Sequence, residues 1–235
     1  MHRINIKNIR HRKWLLSAFF VVSAIFAAKL VANKLVRLSA QEMKSLQAPN
    51  FVSKGIEVSS KSKKDYALTD FKGKWVVLEW FNNRCPFVEK HYGTGNMQSL
   101  QKKYTEKGVI WLTVASSEMG KQGHLDENTA KQVIADRKSQ QTAILFDASG
   151  DIARSFGATA TPHMFVIDPN GNIVYQGAID DKPAFRKSTL EGARNFVAEA
   201  LDISLGLDAQ NRKKIEVHQH PVYGCDIKNT LHPTT

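Results

Sequence analysis

Cysteine is scarce in this chain: Cys85 and Cys225 are the only two in 235 residues. A core stapled by several disulfides is therefore excluded, since one intrachain bridge is the most the sequence can form. Long hydrophobic runs are also lacking. The uncharged, mostly apolar stretch from Trp14 to Ala28 falls short of the roughly 20 residues that a membrane span needs. No internal repeat or low-complexity tract is present, which excludes a repeat array. Acidic residues are in deficit, 22 against 33 basic ones, and the formal charge is +11. That balance invites a nucleic-acid reading. However, the basic residues are dispersed, apart from the first thirteen positions and the group Lys61, Lys63, Lys64. A solvated basic surface plus a targeting segment accounts for them, and no nucleic-acid partner is expected.

The N-terminus carries that targeting signal. Arg3, Lys7, Arg10, Arg12 and Lys13 precede the apolar stretch, the order of a positive n-region and an h-region. Val22 and Ala24 offer a small-residue cleavage site. Alternatively, Leu30 to Leu35 extend the stretch to spanning length with Lys29 snorkelling, which makes an uncleaved anchor. Both readings of residues 1–33 put the remainder outside the cytoplasm, in the periplasm or cell envelope. The membrane is a partner only in the second. Residues 34–50 are polar and read as a linker.

From 51 to 207 the chain alternates strand and helix signals. Trp75 to Phe81 is a near-continuous apolar run, the pattern of a strand buried on both faces. Pro86 to Glu106 is helical but interrupted by Gly93 and Gly95. Val109 to Ala115 is a second buried strand. Asp126 or Asn128 caps a helix reaching Lys138. Ala143–Phe146 is a short strand, and Asp151–Phe156 a short helix. Met164–Ile167 and Ile173–Tyr175, joined by Asp168 to Asn172, form an antiparallel hairpin. Thr189 to Leu205 is an amphipathic helix. The pattern predicts an α/β fold, a mixed sheet with helices on both faces, whose working site lies at the carboxyl ends of the strands. Residues 208–235 form a tail carrying Cys225.

Cys85 stands at such an end. Pro86 suits a first helical position, so Cys85 is predicted as the helix N-cap, its sulfur facing unpaired N–H groups that favour the thiolate. The alternative is a buried structural cysteine. In an exported protein Cys85 and Cys225 can also pair, and a bridge over so long a loop contributes on the order of 5 kcal/mol in the chain-entropy picture.

These residues resemble the thioredoxin fold, and within it the redoxins that include alkyl hydroperoxide reductase and thiol-specific antioxidant proteins. Val76 to Val88, a strand, Cys-Pro and a helix, resembles the redox motif. Glu79 stands where thioredoxins carry a buried acid. Thr161-Pro162 resembles the cis-proline, and Asp168 to Ile173 the hairpin turn that follows it. The resemblance implies a three-layer thioredoxin-like fold and a thiol-dependent oxidoreductase with no cofactor. Two departures narrow it. Val88 occupies the place of the second cysteine of Cys-x-x-Cys, so dithiol exchange cannot close within the motif. Asn82 stands where peroxiredoxins carry a peroxide-orienting hydroxyl.

Under this resemblance Cys85 attacks a peroxide oxygen or a disulfide sulfur, peroxide being the leading substrate, and Cys225 resolves the product. A thiol electron donor completes the cycle. Glu79 is read either as a proton acceptor with a raised pKa or as a carboxylate paired with a lysine. Asn82, Arg84, Thr161, Pro162 and His163 line the substrate side. Pro162 presents backbone to an extended substrate if its bond is cis, and His163 is read either as a proton donor near neutral pH or as an ordinary polar neighbour. Lys90 and His91 are rotated away from Cys85 and receive no catalytic role. The segment Tyr223-Gly224 suggests a turn that exposes Cys225. Three other functions stay open: exchange on a protein disulfide, a non-enzymatic interaction module with a structural Cys85–Cys225 bridge, and metal handling through His218 and His220 with His232 further on. The spacing of these histidines fits no standard zinc framework, and no metal site is assigned.

Overall fold

The structure is a computed structural model that describes residues 47–215 and 218–230. The predicted signal or anchor, residues 1–33, lies outside the described residues, as do most of the linker and His232. No helix among the described residues is long and apolar enough to cross a membrane.

Among the described residues, nine strands and five α-helices follow one another. The strands are β1 (Val52–Glu57), β2 (Lys63–Ala67), β3 (Val76–Trp80), β4 (Ile110–Ala115), β5 (Ala143–Phe146), β6 (Ala160–Thr161), β7 (Met164–Ile167), β8 (Ile173–Gly177) and β9 (Cys225–Asp226). The helices are α1 (Pro86–Tyr92), α2 (Asn96–Thr105), α3 (Glu127–Asp136), α4 (Asp151–Phe156) and α5 (Phe196–Ser204). Seven strands build one mixed sheet in the order β2-β1-β5-β4-β3-β7-β8, while β6 and β9 pair separately. Strands β3, β4 and β5 run parallel, and β7 runs antiparallel to β3. The end of β3 and the start of β7 therefore meet at one end of the sheet.

Alternation along β3 divides the core into two layers. Val77 and Phe81 pack with Cys85, Val88, Tyr92 and the inner faces of α2, α3 and α5. Val76, Leu78 and Trp80 face the other way, onto Ile152, Ala153 and Phe156 of α4. All five residues of β3 are buried, as its near-continuous apolar pattern predicts, Glu79 included. This is the three-layer α/β arrangement expected from the sequence.

Local chemistry sets most boundaries. Asp126 caps α3, its carboxylate accepting the Thr129 N–H at 2.8 Å while the Thr129 hydroxyl accepts the Asp126 N–H at 2.8 Å. Asp168 accepts from the N–H groups of Asn170 (2.9 Å) and Asn172 (2.8 Å), which shapes the β7–β8 turn. Two expectations are corrected. Gly93 and Gly95 do more than interrupt one helix; they divide it into α1 and α2, with Gly95 at φ 77°. The amphipathic helix begins only at Phe196, where the Asn195 side chain caps it by accepting the Ala198 N–H at 2.8 Å. The β1–β2 hairpin had no counterpart among the sequence expectations. Polar β2 has little apolar pattern to betray it.

Candidate active site

Cys85 is the N-cap of α1, with extended φ −79° and ψ 125°, and Pro86 opens the helix. The turn before it is built by Asn82, whose carbonyl accepts the Cys85 N–H at 3.0 Å and whose side-chain oxygen accepts the Arg84 N–H at 2.9 Å. The Asn82 amide reaches the Gln122 carbonyl at 3.4 Å. Asn82 is thus occupied in shaping the loop. Arg84 is exposed beside it, on a cleft shared with Lys121 and His124.

The Cys85 side chain is fully buried, 0 % exposed, and its thiol donates to the Thr161 carbonyl at 3.1 Å. The Thr161–Pro162 bond is cis. The outward edge of Thr161 is already occupied. Antiparallel β9 pairs Cys225 with Thr161 and Asp226 with Ala160, and the Thr161 hydroxyl donates to the Cys225 carbonyl at 3.2 Å. Cys225 thereby comes to lie beside Cys85, and both cysteines are free. Desolvation, followed by the neighbouring Cys85 sulfur, pushes the Cys225 thiol up to about 12. The predicted exposing turn at Tyr223-Gly224 is corrected: Cys225 is half-buried in a short strand.

A clamp that the sequence did not reveal holds this segment. Lys90, in α1, is fully buried, and its ammonium lies 3.1 Å and 3.3 Å from the two carboxylate oxygens of Asp180. It also donates to the Lys182 carbonyl (2.8 Å) and the Tyr223 hydroxyl (3.3 Å). The Tyr223 hydroxyl in turn donates to Asp180, and burial with that carboxylate raises its pKa far above the usual phenol value. His91 is buried beside them, and desolvation lowers its pKa to about 4. Lys90 and His91 do point away from Cys85, yet into a buried polar cluster rather than to solvent.

Glu79 is wholly buried. Its carboxylate accepts from Trp111 Nε1 (2.8 Å), Tyr92 Oη (2.8 Å), Gln101 Nε2 (3.2 Å) and Thr113 Oγ1 (3.4 Å). The lysine pairing is corrected, because these partners are all neutral. Desolvation raises its pKa, and the four hydrogen bonds oppose that shift. Cys85 is not among its hydrogen-bond partners.

His163 is also corrected. Its ring stacks on Phe165 with centroids 4.6 Å apart, in the layer opposite Cys85. Burial lowers its pKa to about 4, and Nδ1 accepts the Thr159 N–H at 3.3 Å. It is neutral near pH 7 and is no proton donor there. His218 Nδ1 lies 2.8 Å from the Val174 carbonyl, and His220 stacks on Phe196 at 3.5 Å. Among the described residues, no group of three or more His, Cys, Asp or Glu side chains is arranged to hold a metal ion.

Residues 45–176 match the AhpC/TSA family. The chain belongs to that family. Thiol-disulfide oxidoreductase ResA from Bacillus thuringiensis subsp. konkukian is 28% identical over 130 residues, which cover 55% of this chain and 66% of that protein. ResA from Bacillus anthracis is 30% identical over the same shares. The match thus spans slightly less than two thirds of these relatives. An uncharacterized conserved protein from Geobacillus kaustophilus superposes with a TM-score of 0.60 at 25% identity, covering 77% of this chain and 89% of that one. A hypothetical protein from Sinorhizobium meliloti 1021 superposes at 0.58 with 22% identity, covering 78% and 93%. The AhpC/TSA chain described here departs from the Cys-x-x-Cys pattern by placing its second thiol on the tail.

Proposed function

We propose that the chain is a thiol–disulfide oxidoreductase in which Cys85 attacks a substrate disulfide and Cys225 resolves the product. One observation carries this reading: Thr161 accepts the Cys85 thiol on its carbonyl while its backbone and hydroxyl hold Cys225 alongside. A distant cysteine can thereby supply the second thiol that the motif, with Val88 at its fourth position, does not carry.

The chemistry runs in two exchanges. The Cys85 thiolate attacks one sulfur of the substrate disulfide, forming a mixed disulfide and releasing the first substrate thiol. Cys225 then attacks Cys85, forming the Cys85–Cys225 disulfide. The second substrate thiolate leaves and takes up the proton that Cys225 gives up. Two protein thiols are oxidised and one substrate disulfide is reduced. A thiol donor restores the reduced pair, and no cofactor takes part.

Peroxide reduction would use the same pair through a sulfenic acid. The engagement of Asn82 in the turn favours the disulfide, since its side-chain oxygen and one amide N–H are spent on the loop and it carries no hydroxyl to orient a peroxide. The names of the ResA relatives point the same way. The charged-then-apolar N-terminus supports export, with the reaction outside the cytoplasm.

The test uses the reduced Cys225→Ser chain mixed with insulin as a protein disulfide. A mixed disulfide between insulin and Cys85, stable in the variant and transient in the parent, is the expected result. If insulin leaves Cys85 unmodified while hydrogen peroxide converts it rapidly to a sulfenic acid, the substrate is peroxide.

A further inference from the structure

A nucleophile that is 0 % exposed meets no substrate until something moves. The chain's own tail crosses beside it, at the Thr161 carbonyl that takes the Cys85 thiol. Residues 218–220 lie along β8, where the Gln176 N–H donates to the His218 carbonyl at 2.9 Å and the His220 N–H to the Gln176 carbonyl at 3.2 Å. On the far side Ile227 is buried in the α4 layer. The Ile227 N–H donates to the Thr159 carbonyl at 3.2 Å, and the Asn229 amide to the Ala148 carbonyl at 3.0 Å. Residues 221–226 bridge these two anchors and cross the site. Most of that bridge is half-buried or exposed, and Tyr223 gives it a hold on the buried polar cluster of Lys90 and Asp180.

We propose that Tyr223, Asp180 and Lys90 form a latch that keeps residues 221–226 over Cys85, and that a substrate disulfide enters when this strap lifts from the Thr161 edge. The three are positioning residues that act through Cys225, and the proposal rests on the reading of Cys85 and Cys225 as the redox pair. Three observations carry it. Lys90 belongs to the helix that Cys85 caps, so the latch and the nucleophile share one rigid element. Tyr223 lies two residues before Cys225, and its ring packs 5.7 Å from Phe87, also in α1. The Ala160–Thr161 edge beside Pro162, free to pair an extended substrate only when vacant, is held by Cys225–Asp226.

A buried ion pair repays its desolvation poorly as a source of stability, whereas it fixes geometry well. Its placement under Tyr223 makes the hold polar and reversible. Both anchors persist when the strap lifts, so Cys225 stays tethered close to Cys85. A short tether keeps its effective concentration high, and resolution follows as soon as the substrate's first thiol has left.

The test is Tyr223→Phe in the full chain, which keeps the ring on Phe87 and removes only the hydroxyl. Two quantities are read below the melting transition. In the reduced Cys225→Ser background, iodoacetamide alkylation of Cys85 is expected to quicken about tenfold when Tyr223→Phe is added, the effect of one hydrogen bond to a charged group. With Cys225 present, the glutathione equilibrium for the Cys85–Cys225 disulfide is expected to move about tenfold towards the reduced thiols. A purely structural tyrosine lowers the melting temperature and leaves both quantities where they were, and that result overturns the latch. Should Tyr223→Phe fail to fold, Asp180→Asn is read in the same two assays and decides by the same criteria. If the parent chain forms no Cys85–Cys225 disulfide with glutathione, the redox-pair reading fails, while the alkylation rates still test the strap.

Discussion

Gly224 lies directly on Thr161: a β-carbon at Gly224 would stand 2.1 Å from the Thr161 carbonyl oxygen. The residue has φ 142°, a conformation that side-chain-bearing residues rarely adopt. The approach is close because that carbonyl is wedged between two elements, taking the Cys85 thiol on one side and the tail on the other. Glycine at this position lets the chain cross flat and present Cys225 one residue later.

Gly224→Ala is therefore expected to lift the strap without unfolding the domain. The strain, about 1–3 kcal/mol, falls on a segment of few apolar contacts. Cys85–Cys225 disulfide formation after oxidation should slow by tenfold or more, read by quenched mass spectrometry, with the melting temperature lowered only slightly.

Lys90→Met should be among the more destabilising substitutions outside the apolar core. Removing one member of a buried pair leaves the Asp180 carboxylate uncompensated, at a cost of about 3–5 kcal/mol. Adding Asp180→Leu removes the stranded charge, and the double variant is expected to be more stable than Lys90→Met alone in urea denaturation. A double variant as weak as the sum of the two singles contradicts this.

Acid should destabilise the fold through its buried histidines. His163 has a folded pKa of about 4 against an unfolded value of 6.5. The unfolded chain thus binds the extra proton between those values. The stability that neutral His163 contributes is complete above pH 6.5 and is lost as pH falls towards 4. His91, lowered to about 4 as well, acts with the same sign. Between pH 7 and 4.5 the share of His163 is on the order of 2 kcal/mol. His163→Phe should shrink the acid-induced drop in unfolding free energy, read from urea denaturation at the two pH values, by that amount, and an unchanged drop would refute the assignment.

Glu79 is expected to serve the scaffold. In Glu79→Gln the amide oxygen can still accept from Trp111, Gln101 and Thr113 while the amide N–H meets the Tyr92 hydroxyl. Exchange with insulin should then keep its rate within about twofold, whereas loss of a general base slows a reaction about a hundredfold or more. Glu79→Ala strands the buried Trp111 and Tyr92 donors and should cost about 3 kcal/mol in thermal unfolding.

Much of this was legible in the sequence because it is local. The apolar run of β3, the Cys-Pro helix start and the Asp168 turn each follow from neighbours in the chain. Strands β5 and β7 and helix α4 coincide with the expected spans. The cluster of Lys90, Asp180 and Tyr223 did not show itself. A lysine and a histidine on a short helix look like its solvated face, and their partners lie 90 and 133 positions away. The layer that receives His163 was hidden for a related reason. The residue follows Pro162, and only the packing of Phe165 and Trp80 decides which way its ring turns. Cys225 was visible as a candidate, but its reach depended on a backbone pairing between two-residue strands that no periodicity marks.

If Cys85 and Cys225 form one reversible redox pair, the two thiols must be oxidised and reduced together. The most direct measurement equilibrates the reduced chain in glutathione buffers of graded potential, quenches with an alkylating probe and maps the cysteines by mass. A single two-electron transition is expected, in which both cysteines become protected together as one Cys85–Cys225 disulfide. Cys85 carrying glutathione while Cys225 stays free at every potential would contradict it.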